Sequence, residues 1–459
     1  MHRTIVLLLV SIASLSSAAQ TSFMVGSTWV NVEVIAENLV VPWDLALGPD
    51  GFVWFTQASG EVYRMDPDDG SLQLVHTLAD VHEFGFTTGL HSMAFHPDFT
   101  NEPYVYLHYT ISTTESVIKR FLYDASSSSF TNMSDHLLTL PIAAGPSHNG
   151  SRIITDDSGM FLISIGETMS ASASAQDLNT SHGKILRFAP DGSIPADNPI
   201  PGSYVYNWGH RNPQGLVRAG NGIIYNSAHG QANDDEVNIV LPDRDYGWPT
   251  VLGLCNTPTE IAYCEAHDVV EPIHEFTAEV VAPSGIAHFD HPSIPGWQNS
   301  LLVATLRGKE LRQLQLDGTG QAVVADNSFL SNAYGRLRDV LVMPDGRIFI
   351  CTSNHDWSGT PIATDDRILV LQGDASTGMR EPVARTFSIH PNPSNGMIRM
   401  DVELEMVTVL DATGRCVLES PGISRSIDIS TLTPGSYTIR GIDVHGQLCI
   451  ARSLVAQPQ

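Results

Sequence analysis

The stretch Asp50-Gly51-Phe-Val-Trp-Phe55 joins a tight turn to a short apolar strand, and the same pattern returns five more times along the chain. Asp-Gly and Asn-Gly pairs supply the positive φ angles that hairpin turns require, so each copy marks a strand–turn–strand unit. The later copies begin at Asp98, Asp157, Asn221, Asn299 and Asp345, at intervals of 46 to 78 residues. We therefore predict an all-β chain whose main part is a six-bladed β-propeller. An irregular β-sandwich is the alternative.

Two further segments outside this series alternate apolar and polar residues, a pattern that predicts β-strands. They are Trp29-Val-Asn-Val-Glu-Val-Ile35, before the first unit, and Arg367-Ile-Leu-Val-Leu371, after the last. If the two pair in one blade, the ring closes without exposed strand edges.

The chain is strongly acidic. Its 459 residues include 24 Lys and Arg against 50 Asp and Glu, which gives a formal net charge of −26. A protein that binds a phosphate backbone needs clustered cations, so we expect no nucleic-acid partner. The hydrophobic content of 42% excludes a disordered chain.

The first 19 residues have the pattern of a secretory signal peptide. His2 and Arg3 precede the apolar run Ile5–Ile12, and small residues follow up to Ala19. The apolar run is too short to span a bilayer, and no later stretch reaches 18 uninterrupted apolar residues. We expect an exported protein with no transmembrane segment.

Five cysteines in an exported chain leave at least one unpaired. Cys255 and Cys264 flank a polar segment that contains a proline, and a disulfide between them is the preferred interpretation. Cys351 lies in an apolar strand and is expected to be a buried free thiol. The pairing of Cys416 and Cys449 stays open.

The composition changes after residue 372. The small-residue segment Gly373-Asp-Ala-Ser-Thr-Gly378 precedes a turn, Pro391-Asn-Pro393, a hairpin at Asp411-Ala-Thr-Gly414 and the element Leu432-Thr-Pro-Gly-Ser-Tyr437. This order resembles the C-terminal sorting domain of type IX secretion cargo, over about residues 387–455. An adhesive β-sandwich of another purpose is the alternative.

The sorting-domain resemblance implies a partner and a location. The partner is the type IX secretion machinery. The protein would pass through the periplasm of a Gram-negative bacterium and then be secreted or held at the outer-membrane surface. We predict four segments: a signal peptide (1–19), a propeller (20–372), a linker (373–385) and a sorting domain that forms a small β-sandwich (386–459).

Arginines mark a candidate binding site in the propeller. Arg211, Arg307, Arg336 and Arg338 lie in polar loops of three separate units. In so acidic a chain, arginines that converge near the axis would form a local positive site for a ligand with carboxylates, which guanidinium binds bidentately. Arg336 and Arg338 are two apart on an extended segment and share one face. The alternative is that all four form ion pairs at blade edges.

Several motifs in fixed order resemble a known enzyme family. They are Ser147-His148-Asn149-Gly150, Gly183-Lys-Ile-Leu-Arg-Phe188, Gly209-His-Arg-Asn-Pro-Gln-Gly215, Asp234-Asp-Glu236 and Tyr246-Gly-Trp-Pro249. Together they resemble the soluble pyrroloquinoline-quinone-dependent aldose dehydrogenases, the glucose/sorbosone dehydrogenase family, from about Pro42 to Leu371. The resemblance implies a six-bladed propeller that binds pyrroloquinoline quinone and calcium. It also implies oxidation of aldose sugars at C1 to lactones, with the electrons passing to an acceptor.

The resemblance also implies roles for individual residues. His148 matches the general base, and a neutral imidazole suits proton removal at neutral pH. Arg211 and Asn212 match the residues that polarise the quinone. Further cofactor contacts are implied at His229, Arg307, Arg336, Arg338 and Thr87. The backbone carbonyls of Gly230 and Gln231 match calcium ligands, and Glu236 with Tyr246 matches a second calcium site.

Several positions depart from the pattern of the family. Thr87 replaces a glutamine of the glucose-oxidising relatives, Arg307 a lysine, Ser147 an aspartate beside the base and Glu167 a second aspartate. Gln57-Ala58 stands where the first blade often has Glu-Arg. Two other functions are therefore kept as alternatives. One is a secreted propeller that has lost the cofactor and only binds. The other is a calcium-dependent lactonase, whose central site would present carboxylates and amides rather than arginines.

Overall fold

The computed structural model describes residues 21–83, 85, 88–142, 147–169, 172–277, 280–374, 385–411, 415–443 and 448–455. The described part is mostly β-structure. It forms two compact units, one of residues 32–373 and one of the residues up to 31 together with those from 374 onward. The predicted signal peptide, residues 375–384 of the predicted linker, and Thr87 lie outside the described residues. None of the helices described is long and apolar enough to cross a membrane.

Most strands belong to six small antiparallel sheets that follow one another along the chain. Two strands precede them: β1 (Thr21–Val25) and β2 (Thr28–Ala36). The first sheet contains β3 (Pro42–Leu47), β4 (Val53–Gln57), β5 (Glu61–Met65) and β6 (Leu72–Thr77). The second contains β7 (Leu90–Phe95), β8 (Tyr104–Thr110), β9 (Glu115–Asp124) and β10 (Ser129–Pro141). The third contains β11 (Ile153–Thr155), β12 (Phe161–Ile165), β13 (Lys184–Phe188) and β14 (Val205–Trp208).

The other three sheets are built in the same way. The fourth contains β15 (Asn212–Arg218), β16 (Ile224–His229), β17 (Asp235–Ile239) and β18 (His274–Phe276). The fifth contains β19 (Pro283–Phe289), β20 (Ser300–Thr305), β21 (Leu311–Leu316) and β22 (Val323–Phe329). The sixth contains β23 (Leu337–Val342), β24 (Ile348–Thr352) and β25 (Ile368–Gly373). Its order is β1-β2-β25-β24-β23, so β2 pairs with β25 as predicted.

The first strands of the six sheets contact one another in a closed series. β3 contacts β7, and the contacts continue through β11, β15, β19 and β23 back to β3. These inner strands surround a cavity of about 310 Å³, to which each contributes a residue: Leu45, Met93, Ile153, Leu216, Ile286 and Val340. The first strands of the six sheets therefore form a closed series of contacts around this cavity.

Packing between neighbouring sheets explains the burial of the strands. β4, β12, β13, β20 and β24 are buried at every position. A strand that has another sheet on each face buries both sets of side chains, so the strand lacks the alternation of apolar and polar residues that marks a half-buried strand. One core cluster, for example, joins Trp54 and Val62 of the first sheet to Leu107 and Tyr109 of the second.

The turns that mark the units have the expected backbone. Gly51, Gly159, Gly222 and Gly346 have φ angles of 84°, 78°, 85° and 85°. In the first turn the Asp50 carboxylate accepts hydrogen bonds from the Phe52 amide at 3.2 Å and the Trp54 indole at 3.0 Å. In these four turns, a short acidic or amide side chain and a glycine with positive φ thus mark where the next strand begins.

The helices are few and short. The α-helix α1 (Pro258–His267) begins with a capping box between Thr257 and Glu260, and 3₁₀ helices occupy Ser172–Gln176 and Pro295–Trp297. Glu260 is the only buried residue of α1, so no apolar periodicity marked it in the sequence. The predicted disulfide between Cys255 and Cys264 is confirmed.

The three remaining cysteines form no disulfide. Cys351 is a buried thiol, as predicted. Cys416 is exposed, whereas Cys449 is buried, and the two are not bonded to each other.

The C-terminal residues form a separate sheet. Its strands are β26 (Arg385–Thr386), β27 (Ile389–His390), β28 (Met397–Leu410), β29 (Cys416–Asp428), β30 (Gly435–Asp443) and β31 (Leu448–Val455). The order is β26-β31-β30-β28-β27, and β29 also pairs with β28. Ile398, Leu404, Val407 and Ile439 are fully buried in its core. The division of these strands into the two layers of a sandwich stays a prediction.

Candidate active site

The candidate site is assembled at the beginnings of the inner strands. His148 lies a few residues before β11, Asn212 is the first residue of β15, and Arg338 is the second residue of β23. Because the inner strands contact one another around the axis, side chains at their first residues come together although they are far apart in the sequence. Ligands of such rings bind where loops from several strands meet.

His148 is held by a tight turn. Its φ is 60°, and its backbone oxygen accepts a hydrogen bond from the Thr168 amide at 2.9 Å. The turn lies so close to the end of β12 that a Cβ on Gly166 would be 2.1 Å from the His148 oxygen. Glycine at this position therefore permits the close approach that places the imidazole.

A carboxylate fixes the orientation of the imidazole. His148 Nδ1 lies 3.1 Å from Glu167 Oε1, and Glu167 Oε2 accepts a hydrogen bond from Trp248 Nε1 at 2.8 Å. Because a carboxylate only accepts, we assign the proton to Nδ1, which leaves a lone pair on Nε2. A histidine that is held by a carboxylate in this way is suited to act as a base.

Arg211 and Asn212 flank the base. Arg211 Nη2 lies 3.4 Å from His148 Nε2, and Nη1 donates a hydrogen bond to the Gly230 carbonyl at 2.5 Å. The Trp248 ring covers the guanidinium at 5.5 Å. Asn212 is buried, and its Nδ2 lies 3.4 Å from His229 Nδ1. These contacts involve five of the predicted site residues: His148, Arg211, Asn212, His229 and Gly230.

Two further arginines complete the positive side of the site. Arg338 lies on β23, and Arg336 directly precedes this strand. Arg338 is 1% exposed, and its guanidinium lies 4.1 Å from the Trp43 ring. Its Nη1 donates to Gln214 Oε1 at 3.2 Å. Arg336 and Arg338 both donate to Asp356 Oδ2, at 2.8 and 2.9 Å. Arg336 and Arg338 thus lie side by side, and one aspartate already pairs with both. The convergence of arginines from three units stays a prediction.

The electrostatics show that these residues share one site. Burial lowers the pKa of His229 well below its usual range, and the charges of Arg211, His148, Arg338 and Arg336 lower it further. Burial also lowers the pKa of Arg338 to about 10. His229 is therefore neutral. Since Asn212 donates to its Nδ1, we assign its proton to Nε2.

Two predicted cofactor contacts are not placed in this cluster. Arg307 follows the end of β20 and is exposed, and within the described part of the chain its side chain makes no hydrogen bond or ion pair. The carbonyl of its neighbour Leu306 does accept a bond from Arg336 Nη1 at 3.3 Å. Thr87 lies outside the described residues. The roles of both stay predictions.

The predicted calcium ligands lie in two places. The Gly230 carbonyl faces Arg211, and Gln231 beside it is exposed. Glu236 lies on β17, where burial, with a contribution from the charge of Glu275, raises the pKa of its carboxyl to about 7. The Tyr246 hydroxyl donates to the Ile239 carbonyl at 2.6 Å. No group of three or more His, Cys, Asp or Glu side chains with metal-binding geometry occurs among the described residues.

Several contacts in this region join residues to which no sequence pattern pointed. Trp43, Trp248, Gln214 and Asp356 were not assigned roles, although Gln214 and Trp248 lie inside quoted motifs. A buried ion cluster was also missed: Arg152 Nη1 pairs with Asp339 at 2.9 Å and with Asp44. The charges and aromatic rings of these residues gave no local signal, because each partner is on a different strand or loop.

Comparison with known proteins identifies the family. Residues 39–359 match the family described as glucose/sorbosone dehydrogenase. The chain belongs to this family. Residues 388–449 match the secretion system C-terminal sorting domain. Both resemblances seen in the sequence are therefore confirmed.

Individual relatives agree with this assignment. The chain is 28% identical over 401 residues to quinoprotein glucose dehydrogenase B of Acinetobacter calcoaceticus, covering 69% of this chain and 84% of the relative. It is 28% identical to the aldose sugar dehydrogenase YliI of Escherichia coli, covering 70% and 90%. Among solved structures, the quinone-bound aldose sugar dehydrogenase of Streptomyces coelicolor aligns with a TM-score of 0.66 and 31% identity, covering 75% and 98%.

Proposed function

We propose that this chain is an exported quinoprotein that oxidises aldose sugars at C1 to lactones, and that its six sheets are the blades of a propeller. One observation carries the proposal: His148, oriented by Glu167 at 3.1 Å, presents Nε2 beside the guanidinium of Arg211. A base next to a partly buried cation is the arrangement that removal of a hydroxyl proton and polarisation of a carbonyl require.

The residues fit pyrroloquinoline quinone, which carries three carboxylates. His229 Nε2 is buried and has no hydrogen-bond partner among the described residues, so it is available to an oxygen of the cofactor. Arg336 and Arg338 keep further N–H groups that Asp356 does not use, because a guanidinium has five donors. Arg211, Asn212, His229, Arg336 and Arg338 would hold the group, with Arg307 and Thr87 as further contacts. When bound, the quinone supplies the carbonyl carbon that accepts a hydride.

Calcium is proposed at the carbonyls of Gly230 and Gln231. Backbone oxygens suit a hard cation. The Gly230 carbonyl has two lone pairs, so it can accept the hydrogen bond from Arg211 and also bind a cation. Glu236 and Tyr246 are proposed as a second, structural calcium site. The hydroxyl of Tyr246 already donates to the Ile239 carbonyl. The calcium ligand would therefore be the backbone carbonyl oxygen of Tyr246.

The protein's own residues perform the proton chemistry. His148 Nε2 takes the proton of the C1 hydroxyl while the C1 hydride leaves the sugar. The imidazolium that results is stabilised by Glu167, which accepts from Nδ1 and is itself held by Trp248 at 2.8 Å. Asn212 Oδ1 accepts from the Gly150 amide at 3.1 Å and so joins the base-carrying turn to β15.

The test of this function is reconstitution. The purified protein is mixed with quinone and calcium, and the reduction of a redox dye is followed with several aldoses. We expect sugar-dependent dye reduction that requires both additions, and a lactone as the product. If the wild-type protein binds no quinone, the non-catalytic propeller takes the place of the dehydrogenase. Lactone hydrolysis without quinone would favour the calcium-dependent lactonase.

We also propose that residues 386–459 deliver the protein to the type IX secretion machinery. The proposal rests on the match of residues 388–449 to a secretion sorting domain. We expect a secreted or surface-held protein that reaches the cell exterior through the periplasm.

Truncation after residue 385 tests the role of the C-terminal residues. The larger unit, residues 32–373, has its own cores and does not contain the removed strands. We therefore expect the shortened protein to keep its activity and cooperative unfolding but to remain in the periplasm, as measured by cell fractionation. Loss of cooperative thermal unfolding, or export at the wild-type level, would contradict this role.

A further inference from the structure

Asp356 is bound to both arginines of the β23 region through a single oxygen. Arg336 donates to Asp356 Oδ2 from Nε at 3.0 Å and from Nη2 at 2.8 Å. Arg338 Nη2 donates to the same oxygen at 2.9 Å. All three side chains are at least nine-tenths buried. One carboxylate thus neutralises one of two buried positive charges.

The position of the carboxylate is determined by its own loop. Asp356 Oδ1 accepts from the Ser358 amide at 3.1 Å, and the Gly359 amide donates to the Asp356 carbonyl at 3.0 Å. A Cβ on Gly359 would be 2.0 Å from the Asn354 carbonyl oxygen, so the turn is compact. Asp356 therefore stays close to the arginines whether or not another anion is present.

The contacts place Asp356 on the groups that a ligand carboxylate would use. The Nε–Nη2 edge of Arg336, which is one of the two edges that bind a carboxylate side-on, is already taken by Asp356 Oδ2. A buried guanidinium without a carboxylate is costly, so this pairing stabilises the protein before any ligand arrives. The same negative charge repels a second carboxylate that binds nearby.

We propose that Asp356 is the resident counterion of Arg336 and Arg338: it stabilises the cofactor-free protein and lowers the affinity for an anionic cofactor. This proposal rests on the proposed function for the identity of the cofactor, but not for the pairing itself. Asp356 is a positioning residue, because it acts through the two arginines rather than on the sugar.

The first test compares thermal unfolding and calorimetric titration with quinone in calcium. Asp356→Asn keeps the shape of the side chain and removes its charge. We expect a lower Tm without cofactor, a larger cofactor-induced rise in Tm than in the wild type, and roughly tenfold tighter quinone binding, since one nearby repulsive charge is gone. Equal or weaker quinone binding by the variant would overturn the proposal.

Asp365→Asn is the matched control. Asp365 is buried in the same loop and pairs with Arg367 at 2.8 Å, but it touches neither Arg336 nor Arg338. We expect this variant to lose the same stability with and without quinone and to bind quinone as the wild type does. A tighter affinity in both variants would show that loosening of the loop, not charge, is the cause.

A charge-balanced double variant tests the pairing without any cofactor. Asp356→Asn combined with Arg336→Gln restores the net charge of the cluster, so it should unfold at a higher temperature than Asp356→Asn alone. A double variant less stable than the single one would reject the counterion role. This measurement is independent of the proposed function, which fails instead if the wild-type protein binds no quinone.

Discussion

His148→Ala is expected to lower the turnover of the reconstituted enzyme by at least about 100-fold, because a positioned general base contributes roughly 10² to 10⁴ in rate. The loss should be in kcat, since the imidazole acts on the sugar proton as the reaction proceeds. Quinone affinity should stay within a few-fold of the wild type, because Arg211, Arg336 and Arg338 remain. Stopped-flow dye reduction measures the rate, and calorimetric titration measures the affinity.

His136→Ala is the control for this substitution. His136 lies on β10 at the surface, and its Nε2 contacts Thr139 Oγ1 at 2.7 Å. We expect this variant to have wild-type kinetics. If His148→Ala keeps near-wild-type turnover, another group is the base. If instead its quinone affinity falls in parallel with its turnover, His148 holds the cofactor rather than the sugar proton.

The features that the sequence predicted well, such as the turns and the disulfide, have signals within a short stretch of the chain. The repeated turns require a short acidic or amide side chain and a glycine with positive φ, and both are visible in the sequence at Asp50 and Gly51. The disulfide was predictable because Cys255 and Cys264 are nine residues apart in an exported chain. His148 and Arg211 were found because their motifs resemble those of a known family.

The pairings that the sequence did not predict join segments that are far apart along the chain. Arg152 pairs with Asp44 and Asp339, which are 108 and 187 residues away along the chain. The Glu167–Trp248 hydrogen bond spans 81 residues. Asp356 is 18 residues from Arg338, in a loop with no repeated pattern. The Arg152 and Glu167 contacts join different sheets, whereas Asp356 reaches Arg338 from a loop of the same sheet. No local pattern encodes either kind of contact.

The exposed position of Arg307 illustrates the same limit. From the sequence, four arginines in polar loops were equivalent candidates for a buried anion site. Arg338 is buried because it is the second residue of an inner strand, whereas Arg307 follows the end of β20, the second strand of its sheet. Their places in the strand order separate the two arginines, and residue type does not reveal those places.

Arg338→Ala should weaken quinone binding by about 30-fold to several thousand-fold. Arg338 is fully buried, and its guanidinium is fixed by Trp43, Gln214 and Asp356. Loss of one partner of a desolvated, hydrogen-bonded charge pair costs roughly 2–5 kcal/mol. One decade of affinity corresponds to about 1.4 kcal/mol, which gives the expected range. Calorimetric titration with quinone in calcium measures it.

Two further variants separate charge from folding in this experiment. Arg347→Ala removes an arginine that binds Asp345 and Asp68 near the surface, and it should leave quinone affinity unchanged. Arg338→Lys keeps the charge but loses the planar donor fork, so its affinity should lie between those of the wild type and Arg338→Ala. Thermal unfolding without quinone shows whether each variant is folded. If folded Arg338→Ala binds quinone as tightly as the wild type, Arg338 neutralises Asp356 and does not meet the cofactor.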